Sequence, residues 1–334
     1  MKKRILVTGG AGFIGSHLTE KLINLGYNVL VVDNLKTIGG IKYINPKCKF
    51  LKGDITSEKT INKIASWKPE TIYHLAAQSA GESSYDDPKY DYLSNGFGTY
   101  QLAKLAKKIK VKNFIYTSSV AVYGSNLKSV INEKSEIKPD SIYGITKYAG
   151  EMFIRQILDK TKTKTLILRL FNTFGPGEDL NYPKKGQIKI YCSYVWKKKP
   201  IIVKGSLKRF RNFHYIDDVI EILLRSLNNK KLRRHELINL CSGEKILVNQ
   251  AIQAILKIKG LKKYKIIQTK VTPGDSFGYN GSNKKLFKKF KKFQFRSLEK
   301  GLIDFFRWID LVPQKKDLKN YHPLKMKIIN DKTP

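Results

Sequence analysis

The chain has 334 residues, 41% of them hydrophobic, which suits one large globular domain or two smaller ones and argues against disorder. Its three cysteines, Cys48, Cys192 and Cys241, are too scattered for a disulfide framework or a metal cluster, so a reducing compartment and no metal are expected. The formal charge of +37 invites a nucleic-acid reading, but ten of the 64 basic residues are Arg, and recognition of bases and phosphates leans on Arg forks.

The opening "MKKRILVTGG" has an apolar run too short for a signal peptide, and no window approaches the roughly 18 apolar residues of a membrane span, so a cytoplasmic protein is expected. "RILVT" (4–8) reads as a buried strand and "FIGSHLTEKLINLG" (13–26) as an amphipathic helix stopped by Gly26. Between them Gly9, Gly12 and Gly15 take the spacing of a dinucleotide loop. The first glycine permits the tight turn, the second lets the backbone approach a pyrophosphate, and the third allows helix to pack on strand. Free N–H groups and the positive helix end then hold the phosphates. "NVLVVD" (28–33) is a second strand, closed by Asp33 18 residues after Gly15. A carboxylate there accepts from the adenosine ribose hydroxyls and repels a 2′-phosphate, which favours NAD over NADP.

"CKFLKGDI" (48–55) and "ETIYHLA" (70–76) are the third and fourth strands. Asp54 stands where it could meet the adenine amino group, although a helix N-cap is its plainer role. In "HLAAQ" (74–78) the small Ala76 and Ala77 would let a cofactor lie close, as packing alone also would. "YLSNGFGTYQLAKLAKKI" (92–109) is helical, "NFIYTSS" (113–119) a strand, "YGITKYAGEMFIRQILDK" (143–160) a helix and "TLILRLF" (165–171) a strand. Strands and helices that alternate in this way predict an α/β fold of Rossmann type, a doubly wound parallel sheet with its ligand site at the carboxyl ends of the strands.

Tyr143 and Lys147 sit four apart on one helical face, and Ser119 ends the preceding strand. An ammonium near a phenol favours the phenolate, as would the positive charge of a nicotinamide. Tyr143 is therefore the expected base for a sugar hydroxyl, Lys147 the residue lowering its pKa and binding the nicotinamide ribose, and Ser119 the proton shuttle. In a chain with 18 Tyr the pair alone would mean little; its place downstream of the glycine loop gives it meaning.

Beyond residue 172 the pattern loosens. "NTFGPGEDLNYPKKGQ" (172–187) reads as a loop over the site, followed by a helix near 188–198, strands near 201–204 and 211–215, and helices near 217–228 and 248–258. The basic run "NKKLFKKFKKFQF" (283–295) reads as a solvated surface with aromatic anchors. The predicted division is a Rossmann domain over 1–172, a smaller, partly interwoven C-terminal α/β substrate-binding lobe over 173–312, and a basic tail over 313–334.

The ordered set "GGAGFIG", Asp33-Asn34, "GDI", "HLAAQ", "SNGFGT", "SSVAVYG" and "YGITK" resembles the extended short-chain dehydrogenase/reductase family, and within it the nucleotide-sugar epimerases and dehydratases, over about residues 4 to 310. The resemblance extends the NAD contacts to Phe13, Ile14, Asn34, Ile55, Leu75 and Gln78, with Asn95 supporting the site and cofactor. It implies that Asn172 meets the phosphate of a nucleotide-sugar substrate and Arg211 its diphosphate, roles that suit a loop amide and a guanidinium fork. It also implies a homodimer through the helices near 92–109 and 143–160. The family's 4,6-dehydratases carry an acid pair directly after the catalytic Ser/Thr, where this chain has Val120 and Ala121. Neither can transfer a proton, so a 4-epimerase of the UDP-glucose/UDP-galactose type is expected, an isomerase that regenerates its NAD in each turnover. Two departures stand out: Thr272 in place of a substrate arginine, and Asn212 where an Asp is usual. A nucleotide-sugar reductase, a dehydratase, an epimerase of another sugar or carbon, a non-catalytic NAD-binding protein and a nucleic-acid-binding protein stay as alternatives.

Overall fold

The computed structural model describes residues 3–36, 44–125, 130–271 and 276–312. Thr272 and the basic tail therefore lie outside the described residues. In chain order the first half gives β1 (Arg4–Thr8), α1 (Phe13–Asn24), β2 (Asn28–Asp33), β3 (Lys49–Lys52), α2 (Glu58–Trp67), β4 (Thr71–His74), α3 (Gly81–Asp86) and α4 (Pro88–Asp91). A π-helical turn, Tyr92–Phe97, leads into α5 (Gly98–Lys108), followed by β5 (Asn113–Ser119), α6 (Ile142–Leu158) and β6 (Lys164–Leu170).

The second half gives β7 (Asn172–Phe174), α7 (Gln187–Trp196), β8 (Ile201–Lys204), β9 (Phe210–Arg211), β10 (Phe213–Tyr215) and α8 (Ile216–Ser226). It ends with β11 (His235–Leu240), β12 (Ile246–Leu247), α9 (Val248–Ile258), β13 (Ile266–Thr269), α10 (Lys284–Lys289) and α11 (Leu298–Leu311). Three short pairs, β7 with β10, β9 with β12 and β8 with β13, stand beside the main sheet.

That sheet has seven strands in the order β3-β2-β1-β4-β5-β6-β11, every pair parallel. Successive side chains on a strand face opposite ways, so a strand apolar throughout must be covered on both sides. Ile5 and Val7 of β1 and Val29 and Val31 of β2 pack into one core, with Leu166 and Leu168 of β6. Leu6, Leu30 and Ile167, their neighbours in sequence, pack into the other. The doubly wound expectation is met, and β11, which comes from beyond residue 172, closes one edge of the sheet.

Strand order reverses at β1, whose neighbours are β2 and β4. The registers pair Thr8 with His74 and Ser119 with Leu170, so the carboxyl ends of the strands share one edge. Connections diverge above β1 and open a crevice there.

Candidate functional site

One cavity of about 900 Å³ runs along that edge from the glycine loop to the second half of the chain. At its first end Gly9 takes φ +71°, a left-handed conformation, and an added Cβ would stand 2.6 Å from the Ala76 nitrogen. A Cβ at Gly12 would meet only the Gly9 carbonyl oxygen, at 3.2 Å, so this backbone stands open to the cavity. At Gly15 it would collide with that same oxygen, which shows how tightly α1 sits on the loop. The turn at Gly9 and the close packing at Gly15 are those that the spacing implied, and Gly12 leaves its backbone uncovered. The open stretch at Gly12, followed by the first turn of α1, is a cradle that fits a dinucleotide pyrophosphate.

Asp33 holds this loop from below. Its carboxylate accepts from the Ala11 amide at 3.0 Å and the Leu35 amide at 2.8 Å. Burial raises its pKa and those two amides draw it back. Asn34 donates to Asp54 at 2.9 Å, and Asp54 also accepts from the Thr56 amide at 2.9 Å. For Asp54 burial pushes upward, but Asn34, Thr56 and Lys36 together outweigh it and the net shift is down. Phe13, Ile14, Gly15, Ile55, Leu75, Ala76, Ala77 and Gln78 all line the same cavity. Asn95 does not. It lies behind the wall, where Nδ2 donates to the Gln78 carbonyl at 3.0 Å and to Asp91 at 2.9 Å, so it supports the wall from outside the cavity.

Midway along the cavity, β5 delivers Ser119 and the first turns of α6 deliver Tyr143 and Lys147. The Ser141 hydroxyl caps α6 by accepting from the Gly144 amide at 3.1 Å, which fixes the turn bearing Tyr143. The phenol and Ser119 line the same stretch of cavity wall. Lys147, expected to lower the Tyr143 pKa, is not among the groups that do so here. Burial pushes the Tyr143 phenol up to about 12, with Ser119 pulling the other way and Asp91 adding to the rise. The ammonium of Lys147 stands 4.3 Å over the ring of Tyr116 instead. Burial has also pushed Lys147 down to about 7, against the upward pull of Asp91 and Glu151. Desolvation of both groups outweighs their proximity in sequence.

The far end is lined by Asn172, Arg211 and a set of cations the sequence reading did not single out: Lys184, Lys185, Lys204 and Arg209. Arg211 donates to the carbonyls of Phe210 at 2.8 Å and Ser276 at 3.0 Å. The Asn172 Oδ1 atom is buried and takes no hydrogen bond. Asn212, the departure beside Arg211, donates to the Glu244 carbonyl at 2.5 Å and accepts from the Gly281 amide at 2.9 Å; it ties loops together. The segment predicted as a loop over the site does cross it. Tyr182 meets the Ser83 hydroxyl at 2.7 Å, Lys184 pairs with Asp86 at 2.6 Å, and Lys204 of β8 pairs with Glu82 at 2.9 Å. The clue in "YPKKG" was two lysines within a loop already assigned to the site.

A doubly wound sheet with a glycine cradle at its crossover and Ser, Tyr and Lys on the adjoining wall defines a class: dinucleotide-dependent enzymes acting on a substrate held at the strand ends. Comparison with known proteins narrows it. Residues 5–241 match the NAD dependent epimerase/dehydratase family, and the chain belongs to it. The UDP-glucose 4-epimerase of Haemophilus influenzae is 31% identical over 341 residues, 95% of this chain and 99% of that protein. The human dTDP-D-glucose 4,6-dehydratase is 30% identical over 265 residues, covering 77% and 74%. Among solved structures, the UDP-glucose 4-epimerase of Thermotoga maritima with UDP-glucose superposes with a TM-score of 0.86 at 32% identity, over 92% of this chain and 98% of that one. The protein is an NAD-dependent member of this nucleotide-sugar family, and among the described residues no helix is long and apolar enough to cross a membrane.

Proposed function

We propose that the protein is a nucleotide-sugar 4-epimerase of the UDP-glucose/UDP-galactose type. The observation that carries the reading is the wall beside Ser119. There Tyr143 and Ser119 face the same cavity, Ser119 draws the Tyr143 phenol down against burial, and the residue after Ser119 that faces the cavity is Val120, which has no proton to give. NAD, when bound, supplies a hydride acceptor for the sugar carbon and a positive ring that draws the phenol of Tyr143 below its resting pKa. Tyr143 takes the proton of the sugar 4-hydroxyl as C4 gives up its hydride and returns that proton to the same oxygen once the keto sugar has turned and recovered the hydride on its other face; Ser119 relays the proton, and Lys147 holds the ribose side. Asn172 and Arg211 bind the diphosphate, helped by the lysines of the crossing loop. With one proton-transfer set, oxidation and reduction at a single carbon is the chemistry these residues support.

A second reading, dehydration, has one observation in its favour. Glu178 is buried on the cavity wall, and burial pushes it up to about 7 despite Lys189. Purified protein given UDP-, GDP-, CDP- and dTDP-hexoses separates the two. A 4-epimer formed without net change in NADH supports the proposal, while a stable keto-deoxy product overturns it in favour of dehydration. We expect Tyr143→Phe to lower kcat by about 10²- to 10⁴-fold while NAD binding is retained. Unchanged turnover in that variant rejects Tyr143 as the base.

A further inference from the structure

Asp91 is a fully buried carboxylate to which the chemistry above gives no task. It ends α4, just before the π-helical turn, and α4 and that turn pack against α6. Oδ1 is held by two donors, Asn95 Nδ2 at 2.9 Å and the Thr146 hydroxyl. Oδ2 is buried and takes no hydrogen bond. Half a buried carboxylate left without a donor is costly, and burial raises the Asp91 pKa while Thr146, Asn95 and the charge of Lys147 draw it back. Thr146, which grips Oδ1, is the residue before Lys147.

From β4, His74 is buried between Thr8 and Thr99, and burial, then Lys147, hold it well below its usual pKa, so it is neutral. From β5, burial and then Glu151 hold Tyr116 well above its usual pKa, so it too is neutral and offers its ring. From α6, Tyr143 is a neutral phenol, and Glu151 is already matched by Arg169 through contacts of 2.8 and 2.7 Å and accepts from Ser118 at 2.5 Å. Asp91, from α4, is the carboxylate with no cation of its own, and it acts on Lys147 more strongly than Glu151 does.

We propose that Asp91 is a positioning residue for the reaction centre: fixed by Thr146 and Asn95, it keeps the Lys147 ammonium charged at the pH where Tyr143 works. The proposal rests on the assignment of Lys147 to that centre. Buried among apolar and neutral groups, a lysine sheds its proton unless a carboxylate compensates. Removal of Asp91 lowers the Lys147 pKa further, so the ammonium is lost at lower pH and the alkaline limb of activity moves to the acid side.

The test follows Lys147 itself. Protein carrying [ε-¹³C]lysine is titrated by NMR, with the Lys147 resonance identified by its loss in Lys147→Met. In Asp91→Asn the titration midpoint is expected to fall by about one pH unit or more, the range for loss of a nearby opposite charge. Asp91→Glu restores it. Thr146→Val, which loosens the carboxylate without removing it, moves the midpoint the same way by less, and serves if Asp91→Asn does not fold. A midpoint unmoved in Asp91→Asn, or unmoved in Thr146→Val where only that variant folds, overturns the proposal. The alkaline limb of kcat/KM for epimerisation is followed in parallel and should move with the midpoint. A shifted midpoint in a protein that epimerises no sugar sustains the role of Asp91 and removes the epimerase reading instead.

Discussion

A methyl group at Gly15 has nowhere to go: it would strike the Gly9 carbonyl oxygen and stand 2.7 Å from the Gly10 Cα. Since the obstacle is backbone, the loop or α1 must shift. Gly15→Ala should cost about 1–3 kcal/mol of stability, as overpacking commonly does. Gly12→Ala meets only one oxygen at 3.2 Å and otherwise enters the cavity. Its melting temperature should stay near that of the parent while NAD affinity falls. Thermal melts with and without NAD, beside a fluorescence titration with NADH, distinguish the two variants; equal melting losses would reject the separate roles given to these glycines. Such positions were legible in the sequence because a spacing between a strand and a helix dictates them. The state of Tyr143 was not. Four residues of spacing place Lys147 on its face, but only packing reveals that both are desolvated and that the ammonium lies over Tyr116. Asn95 differs for a related reason, since a motif cannot show which side of a wall a side chain occupies.

At the scale of elements, α6 is tied to β6 by a buried ion pair, Glu151 with Arg169, whose side chains are 0% and 2% exposed. Arg169 also stacks 4.7 Å over Tyr123, whose hydroxyl donates to Asn239 of β11 at 2.8 Å. This network stands directly behind Ser118 and the strand end that carries Ser119. Arg169→Met would leave Glu151 charged and unmatched in the interior, a loss of about 3–5 kcal/mol. The double variant Glu151→Leu with Arg169→Met removes both charges and should regain most of that loss, which urea unfolding would show. A double variant no more stable than Arg169→Met would refute the account. The strands of the first half and the helices α1, α5 and α6 were legible from their apolar periods, whereas α2 was not. The π-helical turn at Tyr92–Phe97 was not, because one extra residue per turn leaves the hydrophobic pattern nearly intact. β11 is hard to read from sequence because "HELINL" opens with His and Glu at the sheet's edge, which dilutes the run expected of a buried strand. α11 is no more legible in the sequence, although Ser297 caps it by accepting from the Lys300 amide at 3.3 Å.

For the whole molecule, the apolar surface around α6 needs an explanation. Ile145 and Met152 lie two turns apart on this helix and are 53% and 45% exposed; Tyr92 of the π-helical turn is 58% exposed. Beside them runs an aromatic row, with Phe97 and Tyr100 at 6.2 Å and Tyr100 and Phe153 at 5.5 Å between ring centroids. Side chains of this size each gain about 1.5–3 kcal/mol when moved fully out of water, and part of that gain is still outstanding here. We propose that a second copy of the chain covers this face. In a two-fold dimer every contact occurs twice, so even partial burial of three such side chains is doubled. The lysines of α5 that remain exposed, Lys104, Lys107 and Lys108, would then lie at the rim, where charge is tolerated. Light scattering on the eluting protein should give twice the chain mass, and Ile145→Glu with Met152→Glu should give the single mass with an unchanged far-ultraviolet circular dichroism spectrum. Because α6 also carries Tyr143 and Lys147, the split protein should lose activity as well as its partner. A parent protein that elutes as a monomer at micromolar concentration would defeat the proposal.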